Sequence, residues 1–397
     1  MKKTNLTKQD LINFENEIVA LYKECKLPFL FHLSGGNEGQ LIDIFNEMNE
    51  GDYVISNHRN HYHAILSGIP RETVKDRILN GQSMFIFDRK LNFFTSAIIG
   101  GTPAISAGIA LALKKKGSKQ RVWCFVGDGT EDSGHLFEAA RYVSGFDLPC
   151  TFIIEDNNRS VETPKTVRWG KSLEEMFPSC VRRYKYEITY PHARINDRID
   201  ISKMKQKTDA EYFPHLAPEV LPPITTENIR YKDAVIKAMT EIGQQNSVFI
   251  GYNVVYGNAM GSLVFVPDEK KIETPVAENL MTGLAIGMSF EGYRPVVYIE
   301  RHDFMLVAAD AIINHINYIE RISHGEYKCP VILKTVVADS GPFYSGPTHS
   351  QDFTEGFKKM VTFPIYVPKN GEEMLEAYRK AIASSRPSMI VEKKSLF

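Results

Sequence analysis

The sequence predicts an α/β protein made of two doubly wound, mostly parallel-sheet domains in series. Two observations predict this. In both halves, short continuous apolar strands alternate with helix-like segments, the pattern of sheets buried on both faces. A charged and then proline-rich stretch separates the halves. The length of 397 residues, 43% of them hydrophobic, suits roughly two or three domains with ordinary cores.

In the first half, Gly100 to Leu113 is small, apolar and helix-like. Arg121 to Val126 is a short apolar strand that stops at Gly127. Gly134 to Val143 resumes helical character, and Cys150 to Ile154 is a second apolar strand. The second half repeats the logic. Asp233 to Ile242 reads as helix, Ser247 to Ile250 as strand and Pro275 to Phe290 as helix. Pro295 to Ile299 and Pro330 to Val337 read as strands, Glu372 to Ser384 as helix and Ser388 to Val391 as the last strand. Between the halves, Arg194 to Lys207 is highly charged, and Pro214, Pro218, Pro222 and Pro223 disfavour regular structure. The expected division is 1–193, a linker over 194–226, and 227–397, with the boundary near Pro222.

Composition excludes several classes. The net charge of -1 offers no excess for nucleic acid or a membrane surface. The five cysteines, Cys25, Cys124, Cys150, Cys180 and Cys329, are scattered without a Cys-x-x-Cys pair. This argues against a disulfide framework and a zinc site. The opening Met1-Lys2-Lys3-Thr4-Asn5 leads into polar residues rather than a secretory core, and no apolar run reaches the roughly 18 residues of a span. A cytoplasmic setting is expected.

One pair of strand ends carries chemistry. Val122-Trp123-Cys124-Phe125-Val126 runs into Gly127-Asp128-Gly129, with Thr130 following. Glycines there let backbone amides approach a phosphate, and Asp128 adds a carboxylate. After the 27 residues from Thr130 to Asp156, the next strand ends in Asn157-Asn158. In open α/β sheets, ligands bind at such strand ends. Magnesium takes oxygen ligands, commonly one or two from protein beside substrate phosphates.

This pairing resembles the thiamine diphosphate signature. The resemblance implies Mg2+ held by Asp128, Asn158 and the Ser160 backbone, with Asn157 the alternative if the loop holds a one-residue insertion. Residues from about Phe31 to Thr163 resemble the alpha subunit of the decarboxylating component of 2-oxo-acid dehydrogenase complexes. The motifs are Phe31-His32-Leu33-Ser34-Gly35-Gly36-Asn37-Glu38, His58-Arg59-Asn60-His61 and Gly81-Gln82-Ser83-Met84. Residues from about Ile229 to Leu396 resemble the beta subunit's pyrimidine-binding domain, most clearly at Thr274-Pro275-Val276-Ala277-Glu278 and His349-Ser350-Gln351. The chain thus looks like an alpha–beta fusion, in the order that transketolase also uses. It stops at Phe397, where those relatives carry a further domain used for assembly, so docking to a lipoyl acyltransferase core is not expected.

The resemblance implies roles. Glu278 matches the glutamate that hydrogen-bonds the aminopyrimidine ring. The competing reading is a helix cap, with Thr274 as N-cap and Pro275 at the first helical position. A capping box, however, would put its Glu where Ala277 stands. Arg59 and His58 match diphosphate-side positions, where a guanidinium suits phosphate oxygens. Ala97 and Ile99 match backbone contacts to the aminopyrimidine. Phe304 matches the aromatic that packs on it, with core packing as its alternative. His32, His61 and His349 match the substrate side, where imidazoles suit proton transfer near neutral pH. His63 and His302 are extra candidates.

Three departures leave the substrate open. Phe85 stands where the family has His, Tyr252-Asn253 replaces an acidic pair, and the segment after Asn158 is short. The implied function is carbon–carbon bond cleavage or formation beside a carbonyl, through an enamine, on a small carbonyl substrate. The first reading is a 2-oxo acid undergoing decarboxylation or acyl transfer. The alternatives are a transketolase-like carboligase moving a two-carbon ketol unit, or a non-catalytic cofactor-binding paralogue. A homodimer or larger homo-oligomer is expected, with Asp128 of one chain facing Glu278 of another.

Overall fold

Continuous apolar runs become buried parallel strands in both halves, as the sequence predicts. The computed structural model describes residues 5–27, 31–160, 163–169, 177–192, 194–197, 199–200, 203–204, 208–339 and 348–397. Several residues of the predicted linker and of the segment after Ser160 lie outside these. The chain divides into two units, Met1–His215 with Arg321–Glu326, and Leu216–Glu320 with Tyr327–Phe397.

The first unit is built on strands β1 (Tyr53–Ser56), β2 (Phe93–Thr95), β3 (Val122–Gly127), β4 (Cys150–Asp156) and β7 (Val181–Lys185). Two further strands, β5 (Arg159–Ser160) and β6 (Thr163–Pro164), pair as a separate antiparallel ribbon. The main sheet runs β2-β1-β3-β4-β7, and every pairing in it is parallel. Register places Gly127 beside Glu155, and Ser56 beside Thr95. All carboxyl ends therefore reach one edge of the sheet. The helix Thr102–Lys115 begins with proline in its first turn, and its Ala104, Ala107, Gly108 and Ala110 are buried. Small residues let that helix lie close on the sheet. Phe14, Ile18, Phe31, Leu33, Val54, Tyr62, Trp123 and Phe125 belong to one buried cluster.

The sequence pattern did not reveal β1, β2 or β7. The first two are very short. β7 reads Val-Arg-Arg-Tyr-Lys, an edge strand whose cations hide its character.

The second unit holds β8 (Ser247–Gly251), β9 (Lys271–Glu273), β10 (Arg294–Ile299), β11 (Ile332–Val337), β12 (Ile365–Tyr366) and β13 (Ser388–Lys393). Its parallel sheet runs β12-β13-β11-β10-β8-β9. Taken from the other edge, β9-β8-β10-β11 repeats the order β2-β1-β3-β4 of the first unit. The two halves share one plan although their site residues differ. Helices Tyr231–Gly243 and Gly371–Ala383 cover the core around Val235, Met239, Met374 and Tyr378.

One boundary differs usefully from expectation. The helix expected from Pro275 begins at Glu278 and runs to Phe290, with Ala277 at its N-cap and no side-chain cap bond. The Thr274 hydroxyl is buried without a partner. The helix-cap reading of this segment therefore fails. Among the described residues, no helix is long and apolar enough to cross a membrane.

Candidate functional site

The carboxyl edge of the first sheet opens into a pocket. Asn57, His58 and Arg59 line it from the end of β1, Ser96 from the end of β2, and Gly127 to Thr130 from the end of β3. Beside them stand Ile98, Ile99, Glu155, Asn157, Ser160, Tyr186 and His192. The β2-β1-β3 order makes the β1/β3 boundary the place where connections diverge, and the crevice there is where such sheets bind ligands.

Gly127 and Gly129 serve different purposes. A Cβ on Gly127 would meet nothing within 4 Å, so that backbone faces open space. A Cβ on Gly129 would stand 2.7 Å from the Ser160 hydroxyl, so only glycine lets these loops meet. Asp128, between them, is only 1% exposed yet lines the pocket. Thr130 accepts the Gly100 N–H at 3.3 Å, tying the loop before the long helix to this turn.

Strand β4 ends in two carboxylates, each locked in place. Glu155 accepts from the Tyr184 hydroxyl at 2.6 Å, Asn57 at 2.8 Å and Asn37 at 3.1 Å, and faces His63 Nε2 at 3.2 Å. Burial alone would raise its carboxyl, but His63, Tyr184 and Asn57 hold it below the usual carboxylate value. Asp156 and Glu131 share Lys165, at 2.6 and 3.1 Å, and both also pair with Arg183. The Asn157 side-chain oxygen accepts the Arg159 N–H at 2.9 Å, and Asn157 lines the pocket. Asn158 adopts a left-handed φ of +60°, and its side-chain oxygen accepts the Lys165 N–H at 3.3 Å. Asn158 is not among the pocket residues. Position thus favours Asn157, the alternative ligand, whereas Asn158 has the looser existing bond.

The structure brings His58, Arg59, Ile99, Gly127, Asp128, Gly129, Thr130 and Ser160 together in this wall. Ala97 lies half-buried between the lining residues Ser96 and Ile98 without lining the pocket itself. The Arg59 guanidinium donates to the Leu33 carbonyl at 2.5 Å. His32 is buried against His58 and His192, with ring centroids 4.7 and 4.5 Å away. Burial and its cationic neighbours push the His32 imidazole far down, and His58 falls to about 3 for the same reasons. Both are neutral near pH 7.

His61 does not join them. It is fully buried, with one ring nitrogen 3.2 Å from Glu15 and the other 2.8 Å from Ser83. Both of its ring nitrogens are engaged inside the core, away from the residues that line the pocket. His63 is likewise held between Ser56 and Glu155. Phe85, expected on the substrate side, packs edge-on against Phe213 at 4.8 Å. Glu155, Tyr186 and His192 were missed. His192 sits in Tyr190-Pro191-His192, which carries no motif, so only the fold could reveal it.

In the second unit, Glu278 is 4% exposed at the start of its helix. Burial raises its carboxyl, and its own backbone N–H offsets this only partly. Tyr252 stands close enough for Glu278 and Glu300 to help burial raise its phenol. Phe304 meets His349 edge-on at 5.4 Å, so these two predicted residues share a place. The neighbouring His302 is fully buried, stacked on Phe357, with neither ring nitrogen hydrogen-bonded.

Comparison with known proteins agrees with this plan. The family described as "Dehydrogenase E1 component" matches residues 7–176, and "Transketolase, pyrimidine binding domain" matches residues 227–397. The alpha subunit of the pyruvate dehydrogenase E1 component from Porphyra purpurea is 29% identical over 40% of this chain and 54% of its own length. The acetoin:2,6-dichlorophenolindophenol oxidoreductase alpha subunit from Bacillus subtilis is 28% identical over 39% of this chain and 50% of its own. The mitochondrial pyruvate dehydrogenase E1 beta subunit of Saccharomyces cerevisiae is 25% identical over 44% of this chain and 49% of its own. The chain thus spans about half the length of these relatives. Transketolase from Campylobacter jejuni superposes with a TM-score of 0.68 at 13% identity, covering 98% of this chain and 78% of its own. The chain thus resembles the dehydrogenase E1 component in its first half and the transketolase pyrimidine-binding domain in its second, and it shares the fold of transketolase.

Proposed function

We propose that the protein binds thiamine diphosphate with Mg2+ and acts on a 2-oxo acid, releasing carbon dioxide or transferring the acyl unit. One observation carries this reading: the glycine-flanked, buried Asp128 faces a strand-end pocket together with Arg59 and Ser160. The residues fit the group. Asp128, the Asn157–Asn158 pair and the Ser160 backbone offer the oxygen donors Mg2+ requires. Gly127 leaves the space a diphosphate needs, and Arg59 supplies a fixed cation for its oxygens. When bound, the cofactor supplies a nucleophilic carbon and an electron sink beside the substrate carbonyl.

The chain's own residues do the rest. Glu278, raised by burial, holds a proton at the ring nitrogen, since a carboxyl of raised pKa shares one more evenly with a weak base. Phe304 would pack against the ring, and His349, edge-on to it, would serve the substrate. Neutral His32 and His58 present hydrogen-bonding nitrogens without adding cationic charge. The resemblance of both halves to E1 subunits supports the 2-oxo acid. The imidazoles of His58 and His192 in the pocket wall, backed by His32, favour the alternative, ketol transfer between hydroxyl-bearing substrates. Relatives named as alpha and beta subunits support an assembly of at least two chains, with Asp128 of one serving Glu278 of another.

Thiamine diphosphate titration with and without Mg2+ tests the cofactor, and 2-oxo-acid and ketose panels test the reaction. Failure to bind the cofactor in excess Mg2+ refutes the whole reading. Ketol transfer without carbon dioxide release moves it to the alternative. Light scattering showing a strictly monomeric active species removes the shared site.

A further inference from the structure

We propose that His32, His58 and His192 form a second, separate metal site in the first unit, for a divalent transition ion of the zinc type. One ring nitrogen from each of these three side chains lies within 4.8 Å of the other two. They come from three distant stretches: His32 ahead of the first sheet, His58 just past β1, and His192 beyond β7. Nothing local in the sequence joins them.

His32 supplies the independent observation. It is 3% exposed, and its Nδ1 has no hydrogen-bond partner. Buried ring nitrogens are normally paired, as His61 and His63 are here at both nitrogens. A buried imidazole with an unpaired nitrogen, packed against two further imidazoles, has a ligand to offer. His58 and His192 line the pocket while His32 backs them, so a fourth coordination position faces the open space. Three protein ligands with one position left open is the arrangement of catalytic rather than structural zinc sites. A water, or an oxygen of the pocket's occupant, would fill it.

The donor set selects the ion. Imidazole nitrogens suit Zn2+, Co2+, Ni2+ or Cu2+, whereas Mg2+ and Ca2+ require oxygen. The Asp128 site is all oxygen, so the two sites sort the two classes of ion. A tetrahedral zinc site places its nitrogens about 3.3 Å apart. The nitrogens, up to 4.8 Å apart, therefore have to close by up to about 1.5 Å on loading.

The test uses untagged full-length protein with Co2+ and Zn2+ alone, without thiamine diphosphate, so its outcome is independent of the cofactor reading. Equilibrium dialysis should give one tightly held ion per chain, and cobalt should show the intense visible bands of tetrahedral coordination. Excess Mg2+ should not displace it. His192→Ala and His58→Ala should each weaken binding well beyond the roughly 10–100-fold cost of losing a second-sphere partner. Circular dichroism checks that each variant is folded. His215→Ala, at an exposed histidine, should leave binding unchanged. Octahedral cobalt, no retained ion, or binding indifferent to both ligand substitutions in folded protein overturns the proposal. The three imidazoles would then serve only as hydrogen-bonding groups.

Discussion

Gly129 and Ser160 approach so closely that a single methyl group on Gly129 would stand 2.7 Å from the Ser160 hydroxyl. The pocket's two loops are thus joined at a point with no spare room. Gly129→Ala must turn the Ser160 hydroxyl away and crowd the Ser160 Cβ, which would stand 3.2 Å off, and Ser160 carries a proposed backbone ligand for Mg2+. Thiamine diphosphate affinity measured by calorimetry in saturating Mg2+ should fall at least tenfold, about 1.4 kcal/mol. Far-UV circular dichroism should not change. Wild-type affinity in the variant would show that the loop is not part of the site.

Glu278→Gln should abolish turnover and leave cofactor binding measurable, because the amide keeps the shape but cannot hold or exchange the proton. The same variant tests the electrostatics without cofactor. Burial raises the Glu278 carboxyl, so the folded state favours its protonated form. Its favourable contribution is present at acid pH and is lost as pH rises through the folded value. Glu278→Gln should therefore stabilise the cofactor-free protein more at pH 8 than at pH 4.5. In units of this size, 1 kcal/mol appears as about 2–4 °C in Tm. A pH-independent difference would contradict the burial argument.

Glu155, itself part of the pocket wall, holds Tyr184, Asn57, Asn37 and His63 at one point. Glu155→Ala leaves several buried polar groups unpaired at once, each costing about 1–3 kcal/mol. Denaturant unfolding should show a loss of several kcal/mol, with cofactor affinity falling because Glu155 and its partner Asn57 form pocket wall. Loss below about 1 kcal/mol would mean that solvent replaces the network.

His302 is fully buried and pushed down to about 4, chiefly by burial, although Asp352 lies 3.6 Å away and opposes the shift. The unfolded chain protonates it near 6.5. The stability it contributes is present above that value and is lost as pH falls toward 4. Over this window one proton corresponds to a slope approaching 1.4 kcal/mol per pH unit. His302→Phe should flatten the acid limb of a stability–pH profile by nearly that amount. An unchanged limb would assign acid sensitivity to other buried histidines, such as His315, which is also lowered to about 4.

The sequence by itself determined the fold class, because continuous apolar strands ending in glycine or asparagine can be satisfied only in a sheet buried on both faces. It also determined the Gly127-Asp128-Gly129 turn and the position of Glu278, whose neighbours on the helix are apolar. Short strands such as β1 and β2, and the cationic edge strand β7, were illegible because length and burial, not pattern, define them. Only the tertiary structure decided which histidines face a cavity. His32, His58 and His61 stand in similar motif company, yet His61 spends both nitrogens on Glu15 and Ser83 while His32 keeps one unpaired. His192 joined that group without any sequence signal. Local sequence fixes which elements form, but partners for a side chain come from residues far away in the chain, and only packing assigns them.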